Sequence, residues 1–110
     1  IINYKNGEKE AEYLKNYPSG KIEIKGYYTN NKKDKVWTYY YENGNKQKQI
    51  TYQLGKKIGT QQEWYADGKK RFEGICVNGK LNGKATFYYE NGKKESEGNY
   101  KNDRQEGVWK

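Results

Sequence analysis

The chain has 110 residues, a net charge of +8 and a mean hydropathy of −1.47, and only 15 of its residues are Leu, Ile, Val or Phe. So few aliphatics with so much charge normally mark a disordered chain, yet 18 residues are aromatic, 13 of them Tyr, so order depends on how the rings are spaced. With no His there is no Ser-His-Asp or Cys-His nucleophile system and no His-ligated metal site; one cysteine, Cys76, makes neither an internal disulfide nor a zinc cluster. No apolar stretch approaches the ~18 residues of a membrane-spanning helix, and Gly79 and Gly83 lack the GK[ST] ending of a phosphate loop.

Taken in chain order, the sequence repeats. Tyr4-Lys5-Asn6-Gly7 opens the series out of step, and Glu8 to Lys15 is either part of a shortened unit or a helical turn. From there Y-x-[NDS]-G recurs as Tyr17 to Gly20, Tyr41 to Gly44, Tyr65 to Gly68 and Tyr89 to Gly92, with the glycines 24 residues apart. Other columns keep step: Gly26, Ile50, Gly74 and Gly98; Lys35, Gly59, Gly83 and Gly107; Tyr40, Trp64 and Tyr88. One repeat domain follows, with a partial unit at 1–19, full units at 20–43, 44–67 and 68–91, and a truncated unit at 92–110. Ile1 stands where Met is expected, so a leading segment is expected to have been removed. Trp109-Lys110 stops where another aromatic strand is due, so the natural protein is expected to continue.

Each unit predicts two strands and two reversals. Asn-Gly and Asp-Gly between strand-like residues favour a two-residue type I′ turn, and Val36 to Tyr41 is aromatic and β-branched. The second reversal is rich in Gly, Asn and Lys, at Asn30 to Lys35, Leu54 to Gly59, Asn78 to Gly83 and Asn102 to Gly107. The expected fold is all-β: a single-layer antiparallel meander of hairpins in an elongated, twisted sheet. The turn fixes register. Tyr41 is expected opposite Lys46, Tyr39 opposite Lys48, Trp37 opposite Ile50, Tyr52 opposite Lys35, Ala85 opposite Gly98, and Tyr100 opposite Gly83. One face then carries Trp37, Tyr39, Tyr41, Tyr65, Phe87, Tyr89 and Trp109, and the other carries Tyr40, Trp64 and Tyr88. Rings beside glycines cover bare backbone, and a linear stack needs only neighbour contacts.

Y-x-N-G-K, then G-x-Y, a Gly/Asn/Lys loop, G-x-W and an aromatic pair resemble the bacterial variant of the MORN repeat over residues 17–110, with Gln61 and Ala85 in the Trp column and Cys76 in a Tyr column. That variant is often found in proteins labelled as toxin–antitoxin antitoxins. The resemblance implies a twisted sheet used for protein or membrane contacts, with lipid binding and scaffolding known in the broader family and no catalytic residues to carry over. Choline- and glucan-binding cell-wall repeats also use Gly/Trp/Tyr hairpins, but their period and motif differ.

The aromatic residues serve packing first. Stacked rings also suit sugars, choline-like cations or nucleobases, and an uncovered aromatic face points to a partner. Tyr40, Trp64 and Tyr88, with Trp37 and Trp109, are the candidate partner-binding residues. Lys32-Lys33, Lys56-Lys57, Lys69-Lys70 and Lys93-Lys94 are the candidate anion-binding residues, as rows along the ribbon. Their first role is to keep sheet edges soluble: with only Arg71 and Arg104 beside 20 lysines, the chain is poor in the forks that read bases and phosphates. The 14 carboxylates show no convergent pair, and a ribbon without a cleft suits no active site. The reading is a non-enzymatic module without cofactor or metal whose partner is a protein, bound by an aromatic face or an open sheet edge. An antitoxin-like module and a surface-adhesion scaffold both fit. The alternative is anionic lipid, polysaccharide or, less favoured, nucleic acid on the lysine rows; the third is a structural spacer. Nothing in the sequence places the protein inside or outside the cell.

Overall fold

The computed structural model describes residues 4–5 and 8–110, with side chains from residue 10 onward. Ten strands follow one another: β1 (Tyr4–Lys5), β2 (Glu8–Asn16), β3 (Ile22–Thr29), β4 (Lys32–Tyr40), β5 (Lys46–Gln53), β6 (Lys56–Trp64), β7 (Lys70–Val77), β8 (Lys80–Tyr88), β9 (Lys94–Lys101) and β10 (Arg104–Glu106). Each pairs antiparallel with the next, in sequence order. The sheet measures 49 × 33 × 13 Å, a single layer, and no helix occurs among the described residues. Glu8 to Lys15 is therefore strand rather than helical turn, while Asn6 and Gly7 of the first tetrapeptide lie outside the described residues.

The two-residue turn expected at Y-x-N-G is found at the other reversal instead. At Y-x-N-G the Gly44 amide donates to the Tyr41 carbonyl and the Tyr41 amide to the Asn45 carbonyl, closing a loop over Glu42, Asn43 and Gly44. Gly44 alone has a positive φ, +92°, so this is a three-residue loop ending in a left-handed residue, not a type I′ turn. The Asn43 carboxamide oxygen accepts from the Asn45 amide, as Asp67 does from Lys69 and Asn91 from Lys93. That local bond is why Asn or Asp precedes the glycine. The two-residue turns lie at the other ends: Asn30-Asn31, Leu54-Gly55, Asn78-Gly79 and Asn102-Asp103 all have positive φ at both residues. The longer reversals expected there are cut short, because Lys35, Gly59, Gly83 and Gly107, also at positive φ, sit beyond the turns, where a strand bulges or ends.

Register survives the change of turn. Trp37 faces Ile50, Tyr39 faces Lys48, Lys35 faces Tyr52, Ala85 faces Gly98 and Gly83 faces Tyr100. The three-residue loop shifts pairing by one, and a bulge between Tyr39 and Tyr40 shifts it back. Only the pair nearest the loop departs: Lys46 faces Tyr40, not Tyr41.

Both rows of turns are stitched to the next unit. Tyr17, Tyr41 and Tyr65 donate their hydroxyls to the carbonyls of Tyr40, Trp64 and Tyr88, at 2.5, 2.7 and 2.6 Å. Tyr41 and Tyr65 thus leave the Trp37 ladder in which the alternating pattern put them, and the Tyr89 ring is half exposed. Along the opposite row, the amides of Gly55, Gly79 and Asp103 donate to the carbonyls of Lys33, Lys57 and Leu81. The core lies on one face. Trp37 is 2% exposed, lies on Gly26, where a Cβ would strike its ring, and donates Nε1–H to the Tyr27 carbonyl at 3.0 Å. Tyr13 stacks on it and Tyr28 and Tyr52 meet it edge-on. Further along, Phe72, Phe87, Tyr100 and Trp109 continue the apolar line.

Candidate functional site

The face opposite the core is built from a polar row. Lys25, Thr38, Gln49, Gln62, Glu73, Thr86 and Glu97 are neighbours in register across seven strands, β3 to β9, and side chains in direct register share a face. Thr38 and Thr86 are buried within it, and Gln49 donates to the Thr38 hydroxyl at 3.1 Å.

Tyr40, Trp64 and Tyr88 close the ends of β4, β6 and β8, beside this row. Alternate strands lie ~10 Å apart, so the three rings form an evenly spaced line. Each faces a lysine across the hairpin: Tyr40 with Lys46, Trp64 with Lys70, Tyr88 with Lys94. All three rings are partly exposed. Lys46 Nζ stands 5.9 Å from the Trp64 ring, and Trp64 borders a hollow of about 290 Å³ with Asn45, Lys46 and Gly68. Tyr40 and Tyr88 line two further grooves, of about 380 and 290 Å³.

Two of the five expected contact residues do not join this line. Trp37 is enclosed on the aromatic face and offers no surface to a partner. Trp109 lies on Gly98 against Phe87 and Tyr100, on that same face.

The two members of the Lys32-Lys33 and Lys56-Lys57 pairs part company, because successive strand residues point to opposite faces. Lys32 lays its stem against Gly55 in the turn row, and Lys56 reaches the position of Gly79. Lys33 sits on the aromatic face, 4.8 Å from the Trp37 ring and 5.3 Å from Tyr52, and Lys57 faces Tyr52 in register. Lys69 and Lys93 remain exposed in the loops, while Lys70 and Lys94 bond Glu73 and Glu97 at 2.5 and 3.0 Å. Lys84 reaches Glu97 as well, at 2.6 Å, and the hydrogen bonds from Lys84 and Lys94 hold the Glu97 carboxyl below the usual carboxylate range.

Sequence reasoning missed Lys46, which the repeat would have revealed, since Lys46, Lys70 and Lys94 share one column. It also missed Lys25, Thr38 and Gln49, whose meeting depends on pairing across three strands. Cys76 is 2% exposed with its thiol 3.6 Å from the Gln61 carboxamide oxygen, and burial pushes its pKa up. A thiol held protonated is a poor nucleophile.

The MORN repeat variant (MORN_2) matches residues 9–30, 33–54 and 81–102, more than half of the chain. The chain belongs to the MORN repeat variant family. Between the matched segments, residues 55–80 keep the strand pattern but carry Gln61 in the column of Trp37 and Trp109, and Cys76 in the column of Tyr28, Tyr52 and Tyr100. A comparison with curated proteins returns no match.

Proposed function

We propose that the chain is a non-enzymatic MORN-variant module that binds a protein through the line of Tyr40, Trp64 and Tyr88. The observation that carries this reading is the position of those three rings: partly exposed, regularly spaced and bordered by hollows, on a face whose central row is polar. The core needs its rings on the other face, around Trp37 and Phe72. Partly exposed aromatics beside polar groups are the usual anchors of protein interfaces. As an antitoxin-like module the chain would inhibit a toxin by occluding its surface, and as an adhesion scaffold it would hold a surface protein.

Binding to anionic lipid, polysaccharide or nucleic acid is less well supported, because Lys32 and Lys56 diverge from Lys33 and Lys57, and Lys70 and Lys94 have carboxylate partners. Affinity capture from the native organism at low and high salt, with the wild-type chain and Trp64→Ala, tests the proposal. A protein retained at high salt and lost from the variant is the expected result. Recovery of polyanions alone, released by salt and indifferent to Trp64→Ala, would transfer the site to the lysines.

A further inference from the structure

The grooves at Tyr40 and Tyr88 are copies of one site, displaced by two repeats and ~19 Å along the sheet. Thr38 corresponds to Thr86, Tyr40 to Tyr88 and Lys46 to Lys94, and all line their grooves. Five positions differ in charge: Glu12, Lys35 and Val36 stand where the second unit has Thr60, Gly83 and Lys84, and the other two bring in its carboxylates. Lys25 stands where the second groove has Glu73, and Gln49 where it has Glu97.

The second groove therefore neutralises itself. Its Lys84 and Lys94 bond Glu97 at 2.6 and 3.0 Å, and Glu73 holds Lys70. In the first groove Lys25, Lys35 and Lys46 meet one carboxylate, Glu12, and none of the three lysines forms an ion pair among the described residues. Lys35 rests instead 4.2 Å from the Tyr27 ring, and Lys46 leans toward Trp64.

We propose that the first groove, formed by Lys25, Lys35, Tyr40, Lys46 and Gln49, receives an acidic segment of a protein partner. The proposal rests on the reading of Tyr40, Trp64 and Tyr88 as a protein-contact line, and adds the chemistry of what is bound there. Lysines without partners attract carboxylates, Thr38 and Gln49 supply hydrogen bonds, and Val36, Tyr27 and Tyr40 give apolar walls for peptide stems. A long polyanion fits worse. Crossing the face from the first groove, it would reach Glu73 and Glu97, whose ion pairs already occupy Lys70, Lys84 and Lys94 and leave none of the three free to meet it. A short acidic segment ends before them.

The test is a fluorescein-labelled hexaglutamate peptide, with hexaglutamine as the neutral control and oligogalacturonate and a single-stranded oligonucleotide as competing polyanions. Binding is followed by anisotropy and by amide shifts on the labelled chain. Hexaglutamate is expected to shift Lys25, Thr38 and Gln49 and to spare Glu73, Thr86 and Glu97. Lys25→Glu with Gln49→Glu, which writes the second groove's two carboxylates into the first, is expected to weaken binding by more than about tenfold with the melting temperature retained. Glu73→Lys with Glu97→Gln is expected to create a second site. If the first pair disturbs folding, Lys46→Gln carries the same test with a smaller loss. Hexaglutamate binding no better than hexaglutamine, shifts spread equally over both grooves, or tighter binding of either polyanion would overturn the proposal. Such a failure is distinct from failure of the protein-contact reading, which is decided by Trp64→Ala and a native partner.

Discussion

The neighbourhoods of Trp37 and Ala85 occupy the same place in the repeat and solve it differently. In the first, the indole of Trp37 lies on Gly26, with Ile24 and Lys33 as the flanking positions of the same unit. In the second, Ala85 has no ring to offer. Phe72 and Leu81, at the positions of Ile24 and Lys33, lean in over Gly74, their nearest atoms 2.7 and 3.0 Å from where its Cβ would stand. Between the two, Ile50 replaces the glycine itself, and Gln61 replaces the tryptophan. The slot is thus filled from different columns in different units. What the fold requires is volume over a backbone strip, and several residue combinations of suitable size supply it.

The sharpest way to break that equivalence is Trp37→Ala. Trp37 is the largest fully buried side chain among the described residues, so the loss is expected to reach about 3–5 kcal/mol in urea unfolding. The expected effect of Ala85→Trp is smaller and has a signature of its own. A ring added where Phe72 and Leu81 already sit should overpack the slot and cost about 1–3 kcal/mol. Adding Phe72→Ile and Leu81→Lys, which restores the set around Trp37, should recover most of that loss, and failure to recover would show that the slots are not equivalent. The smallest effect falls on the stitching that both regions share. Tyr17 ties the end of the Trp37 strand and Tyr65 the end of the Ala85 strand. Tyr17→Phe and Tyr65→Phe should therefore cost the same, about 1 kcal/mol each, and a marked inequality would mean that one region carries its turn row less rigidly.

Much of this architecture was readable from the 24-residue columns. Two strands per unit, their order and the pairs Trp37–Ile50, Tyr39–Lys48 and Ala85–Gly98 follow from alternation and the recurring glycines. Turn type was not readable, because Asn-Gly suits both a type I′ turn and a three-residue loop ending in a left-handed glycine. The register came out right because the longer loop and the bulge after Tyr39 offset one another. Tyr41 and Tyr65 were misplaced for the same reason: a residue that closes a loop no longer obeys the two-residue period.

The candidate site divides along a similar line. Tyr40, Trp64 and Tyr88 stand in one column of the repeat, so periodicity alone singled them out. Periodicity equally favoured Trp37, but only packing shows that Tyr13, Tyr28 and Tyr52 enclose it. The divergence of Lys32 from Lys33, and the contrast between Lys25 with Gln49 and Glu73 with Glu97, belong to the tertiary structure. The sequence by itself determined a meander of paired strands with a repeated aromatic line, because local propensity and period act between near neighbours. The tertiary structure decided which charges stand unpaired, because bulged, antiparallel pairing brings together side chains a dozen or more residues apart, and a lysine's character depends on whether a carboxylate faces it.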